Sequence, residues 1–158
     1  MSTKISAGLL VFRRRGSDIE VLLAHPGGPF FKNKDEGAWT IPKGVAEPDE
    51  DLLQRARIEF EEELGIPPPA DAAPLGSVRQ KSGKTVHAWT AEGDLPEKFV
   101  ARSNTFDLEW PPRSGKIQAF AEVDEARFFA IEEAARKINP AQKEFLVRLQ
   151  ELIAQEGT

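Results

Sequence analysis

Cysteine is absent from this chain of 158 residues, and histidine occurs only twice. The missing thiols exclude disulfides, thiolate metal sites and a cysteine nucleophile together, so any bound metal is held by oxygen or imidazole. No apolar run reaches the length needed to cross a bilayer, which leaves a membrane span without a candidate. The apolar stretch near the N-terminus ends in Arg13, Arg14 and Arg15 and carries no small-residue cleavage site. It does not read as a signal peptide, and a cytoplasmic location is expected. An excess of positive charge is also missing: 21 Lys and Arg stand against 26 Asp and Glu, for a net charge of −5. That balance argues against general nucleic-acid binding, which needs a basic surface. A small polyanion remains a suitable partner, because a divalent metal supplies positive charge locally.

What is present suits one domain over residues 1–158, with 40% hydrophobic and 30% charged residues, the composition of a soluble globular chain. The apolar runs Ile5 to Phe12 and Ile19 to Ala24 flank a turn containing Gly16 and Asp18, and predict an antiparallel strand pair. His25 to Gly37, rich in Gly and Pro, reads as a loop. AWTIP, from Ala38 to Pro42, reads as a short strand ended by its proline. Asp49 can cap a helix whose apolar positions Leu52, Leu53, Ala56, Phe60 and Leu64 recur at helical spacing, with Gly65 and Pro67 to Pro69 ending it. PLGSVRQKSGKTVHAWTAEG predicts two strands around the turn KSGK. The segment from Asp94 to Lys116 reads mostly as loop. EARFFAI predicts a last strand, and two helical stretches close the chain, the second with Phe145, Leu146, Leu149, Leu152 and Ile153 on one face. Strands, helix, strands and helices in this order point to an α/β fold with helices packed against a mixed sheet.

Four glutamates, Glu59, Glu61, Glu62 and Glu63, crowd the end of the first predicted helix. A carboxylate beside the negative pole of the macrodipole is unfavourable by roughly 0.3 to 1 kcal/mol, and like charges four apart, such as Glu59 and Glu63, add roughly 0.2 to 0.5 kcal/mol. Folding gives no reason for this arrangement, whereas a bound cation does. Glu59, Glu62 and Glu63 share a helix face while Glu61 points away. Three carboxylates on one face make a hard oxygen site suited to Mg²⁺ or Mn²⁺, against the plainer reading of a solvated acidic face.

The stretch from Gly44 to Ile66, GVAEPDEDLLQRARIEFEEELGI, resembles the signature of the Nudix hydrolases. That pattern places a Gly, a Glu after five residues, and, after seven more, Arg-Glu-apolar-any-Glu-Glu-any-Gly-apolar. Gly44, Glu50, Glu59, Phe60, Glu62, Glu63, Gly65 and Ile66 fall on their places, and AWTIPKG resembles the lead into this box. The arginine position is the departure: it holds Ile58, and Arg57 stands about 100° away around the helix. In the family that arginine helps to hold the loop and a catalytic glutamate.

The resemblance implies an α/β/α sandwich and metal-dependent hydrolysis of a pyrophosphate linkage in a nucleotide. The substrate is then a nucleoside triphosphate or a dinucleoside polyphosphate; ARKINPAQKEFLVRL and PKG weakly resemble the diadenosine polyphosphate branch. It gives Glu62 and Glu63 as ligands of Mg²⁺ or Mn²⁺, Glu59 as ligand or base, the Lys43 carbonyl as a further ligand, and the Lys43 side chain as a phosphate contact. Glu122, five residues before Arg127, is similarly placed to a further ligand in that branch, with Glu125 as a second choice. The end group of the substrate needs an aromatic wall, for which Trp39, Phe30 and Phe31 are candidates beside Trp89 and Trp110. His25 and His87 read as structural. A homodimer is left open. The rival reading, favoured by Ile58, is a nucleotide-sensing or protein-binding module that kept the fold and lost turnover.

Overall fold

The computed structural model describes residues 4–156, so the two ends of the expected 1–158 domain lie outside it. Its elements run β1 (Ile5–Arg15), β2 (Asp18–Pro26), β3 (Lys43–Val45), α1 (Leu52–Leu64), β4 (Ala73–Arg79), β5 (Thr85–Glu92), β6 (Thr105–Glu109), β7 (Ile117–Ala121), β8 (Val123–Ala130), α2 (Ile131–Lys137), a 3₁₀ turn (Pro140–Gln142) and α3 (Lys143–Glu156). The main sheet has the order β4-β5-β1-β2-β8, with β3 also paired to β1. Among the described strand pairings of this sheet, β1–β5 is the parallel one and the others are antiparallel, so the sheet is mixed.

β1 is buried on both faces, which is why Leu9, Leu10, Val11 and Phe12 run without polar interruption. Leu9 and Val11 pack with Leu22, Phe60 and Leu64 on the α1 side. Leu10 and Phe12 pack with Phe129, Ala134, Phe145, Leu146 and Leu149 on the side of α2 and α3. Successive strand residues feeding opposite layers give the α/β/α sandwich. Phe60 is 1% exposed, and its replacement by Ala would cost roughly 3 to 5 kcal/mol.

One edge of β1 is shared. Its C-terminal half, Phe12 to Arg15, pairs with β2, and its N-terminal part, Ser6 to Gly8, pairs with β3. β2 and β3 therefore diverge beside β1, and the crossing chain is pinned where they part by Leu9 N donating to the Pro42 carbonyl at 3.1 Å. The buried Gln142 accepts from Ile41 N at 3.0 Å and holds the same stretch from the α3 side.

The structure corrects four local expectations. The N-cap of α1 is Asp51, whose side chain accepts from Gln54 N, while Asp49 takes a positive φ of 65° in the preceding turn. AWTIP makes only isolated bridges, Ala24 with Thr40 and Trp39 with Ile138, because the strand that pairs with β1 begins at Lys43. The segment from Asp94 to Lys116 holds β6 and leads into β7, an antiparallel hairpin separate from the main sheet. The final helical stretch is divided, a 3₁₀ turn capped by Asn139 preceding α3.

Candidate active site

α1 carries the acidic face to the place where β2 and β3 part. Ala56, Phe60 and Leu64 bury one side of the helix, so Glu59 and Glu63 lie at its border, half-buried, and Glu62 is exposed. Gly65, with φ 81°, ends the helix and donates its N–H to the Glu61 carbonyl at 2.8 Å. Gly44 faces Glu59 so closely that a Cβ there would stand 2.0 Å from Glu59 Cδ. Only glycine allows the carboxylate this position.

Glu63 Oε2 accepts the Lys43 backbone N–H at 3.1 Å. Burial, and next the Glu59 charge, push the Glu63 carboxyl up to about 8. Glu59 is also raised, mainly by burial and further by Glu62, with its hydrogen bond from Arg55 working against the rise. Lys43 is pulled down to about 8, first by burial and then by the neighbouring Lys84 ammonium. Carboxylates raised first by burial and then by one another stand here near the Lys43 and Lys84 ammonium groups.

A cavity of about 300 Å³ opens at this point, lined by Pro26, Phe31, Thr40, Lys43, Glu63 and Glu122 among others. Glu122 sits between β7 and β8 and is held through its backbone: Gly27 N donates to its carbonyl and its own N–H donates to the Asn104 carbonyl, both at 2.9 Å. Six of the expected residues gather here. Lys43, Glu63, Glu122 and Phe31 line the cavity, and Glu59 and Glu62 lie beside it on α1.

Phe30 and Trp39 fall elsewhere. Phe30 is 59% exposed and meets Trp110 edge-to-face at 5.5 Å, which couples the loop to the β6–β7 hairpin. Trp39 is 2% exposed, packs on Phe129 and His25, and donates its indole N–H to Asp35. It supports the loop from beneath and does not line the cavity of Glu63 and Glu122. His25 straps the same loop: Nε2 donates to the Lys34 carbonyl at 2.7 Å and Nδ1 faces Asp124 Oδ1 at 2.8 Å.

Two residues were missed in the sequence. Lys84 lies in the turn before β5, and the parallel register that sets Thr85 opposite Ile5 brings it near Lys43 on the neighbouring β3. No local pattern signals such a pairing. Arg55 lies one turn before Ile58 and reaches both Glu50 and Glu59. Its spacing of four from Glu59 was visible, while Arg57 turns away and donates to the Pro69 carbonyl.

The donor set fits a hard divalent cation in chemistry, since anionic oxygens that burial and mutual repulsion have raised are the groups that such an ion relieves. As the side chains stand, no three acidic or imidazole groups among the described residues converge closely enough to hold one. Glu59 is turned toward Arg55 and Glu63 toward the Lys43 amide.

The chain matches the NUDIX domain over residues 2–149, and it belongs to that family. Among solved structures it is similar to a C. elegans Ap4A hydrolase in a binary complex, at 23% identity and a TM-score of 0.65, covering 97% of this chain and 99% of that one. The NUDIX domain of Shewanella oneidensis NrtR, complexed with ADP ribose, gives 16% identity and a TM-score of 0.64 over 97% of this chain and 90% of that one. The E. coli ORF135 protein gives 26% identity and a TM-score of 0.56, with 97% and 94% covered. No curated protein sequence gives a significant match. No helix among the described residues is long and apolar enough to cross a membrane.

Proposed function

We propose that the chain is a metal-dependent hydrolase that cleaves a pyrophosphate linkage in a nucleotide, either a nucleoside triphosphate or a dinucleoside polyphosphate. The observation that carries this reading is the placing of Glu63 and Glu122 in one cavity with Lys43, with Lys84 beside it. A polyanion and a divalent cation satisfy such a mixed site together, each relieving the charges that the other lacks.

Glu62, Glu63 and Glu122, with the Lys43 carbonyl, are the groups that would hold Mg²⁺ or Mn²⁺, and Glu59 serves either as a further ligand or as the base. An ion held there would supply charge neutralisation for pyrophosphate oxygens and would acidify water. Glu59 is suited to take the water's proton, because burial has raised its carboxyl toward the working pH and Gly44 leaves room beside it. Lys43 and Lys84 hold phosphate oxygens and align the linkage. Phe31 offers a face to the end group of the substrate, and Pro26 continues this less polar wall.

The deciding experiment incubates the protein with Mg²⁺ or Mn²⁺ and a panel of nucleoside triphosphates, dinucleoside polyphosphates and nucleoside diphosphate sugars, and identifies products by chromatography. Release of a nucleoside monophosphate, pyrophosphate or phosphate that stops on chelation supports the proposal. A second reading, the nucleotide-binding module without turnover, draws on Ile58 at the motif's arginine position. Tight binding with no cleavage across the panel would replace the hydrolase by that module.

A further inference from the structure

We propose that Arg55 is the positioning residue of this site, fixing the loop from Gly44 to Glu50 and the carboxylate of Glu59 from one helical turn before the motif's arginine position. The inference rests on the hydrolase reading for its catalytic meaning and on contacts within the chain for its geometry.

The Arg55 guanidinium uses its edges on two partners. Nε and Nη2 both reach Glu50 Oε2, at 2.9 and 2.7 Å, and Nη1 donates to Glu59 Oε1 at 3.1 Å. The other Glu50 oxygen, Oε1, accepts the Glu47 backbone N–H at 2.9 Å. A continuous chain of charge-assisted contacts therefore runs from the loop amide through Glu50 and Arg55 to Glu59. Its far end is Gly44, which begins the same loop and lies against Glu59. The loop is thus closed at both ends by one carboxylate and one guanidinium.

The contacts are partly shielded from solvent. Side-chain exposure is 22% for Arg55, 20% for Glu50 and 15% for Glu59, so they keep more strength than an exposed pair. Arg55 spreads its donors over separate nitrogens of one rigid plane, so that one edge faces Glu50 and another faces Glu59, a division that a lysine's single nitrogen does not reproduce. Residues 55 and 59 are four apart, the spacing that brings side chains together on a helix. Residues 55 and 58 are three apart and share that side, so an arginine at either place reaches the same region. The half-buried Ile58 then leaves no deficit, because the acceptors of Glu50 and Glu59 that face this side are already filled.

The test compares the parent with Arg55→Ala, Arg55→Lys, Ile58→Arg and the double variant Arg55→Ala with Ile58→Arg. Hydrolysis is assayed with Mg²⁺, and amide exchange of Glu47 and Glu50 is followed without nucleotide. Arg55→Ala should lower kcat by about thirtyfold with KM changed by less than about threefold, since misplacing a reacting group costs turnover more than binding. It should also speed exchange at Glu47 and Glu50 by about tenfold while α1 keeps its protection. The double variant should recover most of both losses, Ile58→Arg alone should change neither, and Arg55→Lys, which keeps charge without the fork, should fall between. If Arg55→Ala does not fold, Arg55→Lys carries the same comparison. Unchanged exchange at Glu47 and Glu50, exchange raised along the whole helix, or a double variant that recovers neither readout would overturn the proposal. A parent that cleaves nothing in the panel would sink the hydrolase reading alone, since the exchange measurement still decides what Arg55 holds.

Discussion

Gly44 and Glu59, fifteen positions apart in sequence, share a space that admits no methyl group: a Cβ on Gly44 would stand 2.3 Å from both Glu59 carboxylate oxygens. Gly44→Ala must therefore move the carboxylate, the loop or both. The displaced group is the end of a flexible side chain, so the expected stability loss is about 1 kcal/mol, the low end of the range for an overpacked site. The kcat should fall by about a hundredfold if Glu59 takes the proton. Urea denaturation beside an activity assay checks this, and a variant with parental turnover would remove Glu59 from the chemistry.

Metal binding is read most directly by thermal stability. A cation that binds only the folded protein raises Tm, by an amount that grows with its concentration. Mg²⁺ or Mn²⁺ should raise the Tm of the parent, and the double change Glu62→Gln and Glu63→Gln should abolish that response. If the double variant responds as the parent does, the ion sits elsewhere.

The raised Glu63 sets a pH dependence of defined sign. Its carboxyl is at about 8 in the folded protein against an ordinary 4.5, so the folded state holds a proton that the unfolded chain has lost between these values. Stability should fall as pH rises through that window, and Glu63→Gln should remove the fall. Lys43, lowered from 10.5 to about 8, acts in the opposite sense above that point, where the unfolded chain holds the extra proton and stability rises with pH. Melting curves from about pH 5 to about pH 9 should show Glu63→Gln gaining on the parent up to about pH 8. Parallel curves would mean that Glu63 is solvated.

His25 offers a test of the loop that carries Phe31. His25→Phe keeps a ring beside Trp39 but leaves the Lys34 carbonyl without its donor and Asp124 without its ring contact. A loss of roughly 0.5 to 1.5 kcal/mol is expected, the net contribution of an intramolecular hydrogen bond, because both freed partners lie on exposed residues that water can reach. KM should rise with it, since Phe31 lines the cavity. Equilibrium unfolding and steady-state kinetics check the two effects, and an unchanged KM would show that Phe31 is held by other contacts.

Elements with their own periodicity were legible in the sequence. β1 and β2 were visible as apolar runs, and α1 through the recurrence of Ala56, Phe60 and Leu64. The β6–β7 hairpin was not, because Thr105–Glu109 and Ile117–Ala121 are short, largely exposed, and separated by Trp110, Pro111 and Pro112. Its aromatic side chains pack on one another and on the loop instead of on the main sheet, as Phe106 does with Phe120. Trp39 misled for a related reason: an aromatic next to a loop has the same local signature whether it faces ligand or core. The acidic face of α1 was readable from helix geometry, whereas Lys84 depends on a parallel pairing between β1 and β5 that no neighbouring residue announces. Arg55 was within reach of the i to i+4 rule, but the motif drew the eye to position 58.

The β6–β7 hairpin leaves and returns to the body of the protein at almost one point, since Glu122 N donates to the Asn104 carbonyl. Chain inserted beyond such a clasp changes what hangs outside it and little within it. Doubling the length of a closed segment adds only about 0.6 kcal/mol of closure entropy, so the tip beyond Trp110, from Pro111 to Gly115, can be grown, trimmed or exchanged at small thermodynamic expense while Trp110 keeps its contact with Phe30. The hairpin is accordingly a natural graft site: a tip taken from another protein would be presented beside the cavity while Glu122 kept its backbone anchors, allowing ligand preference to be engineered separately from the acidic helix.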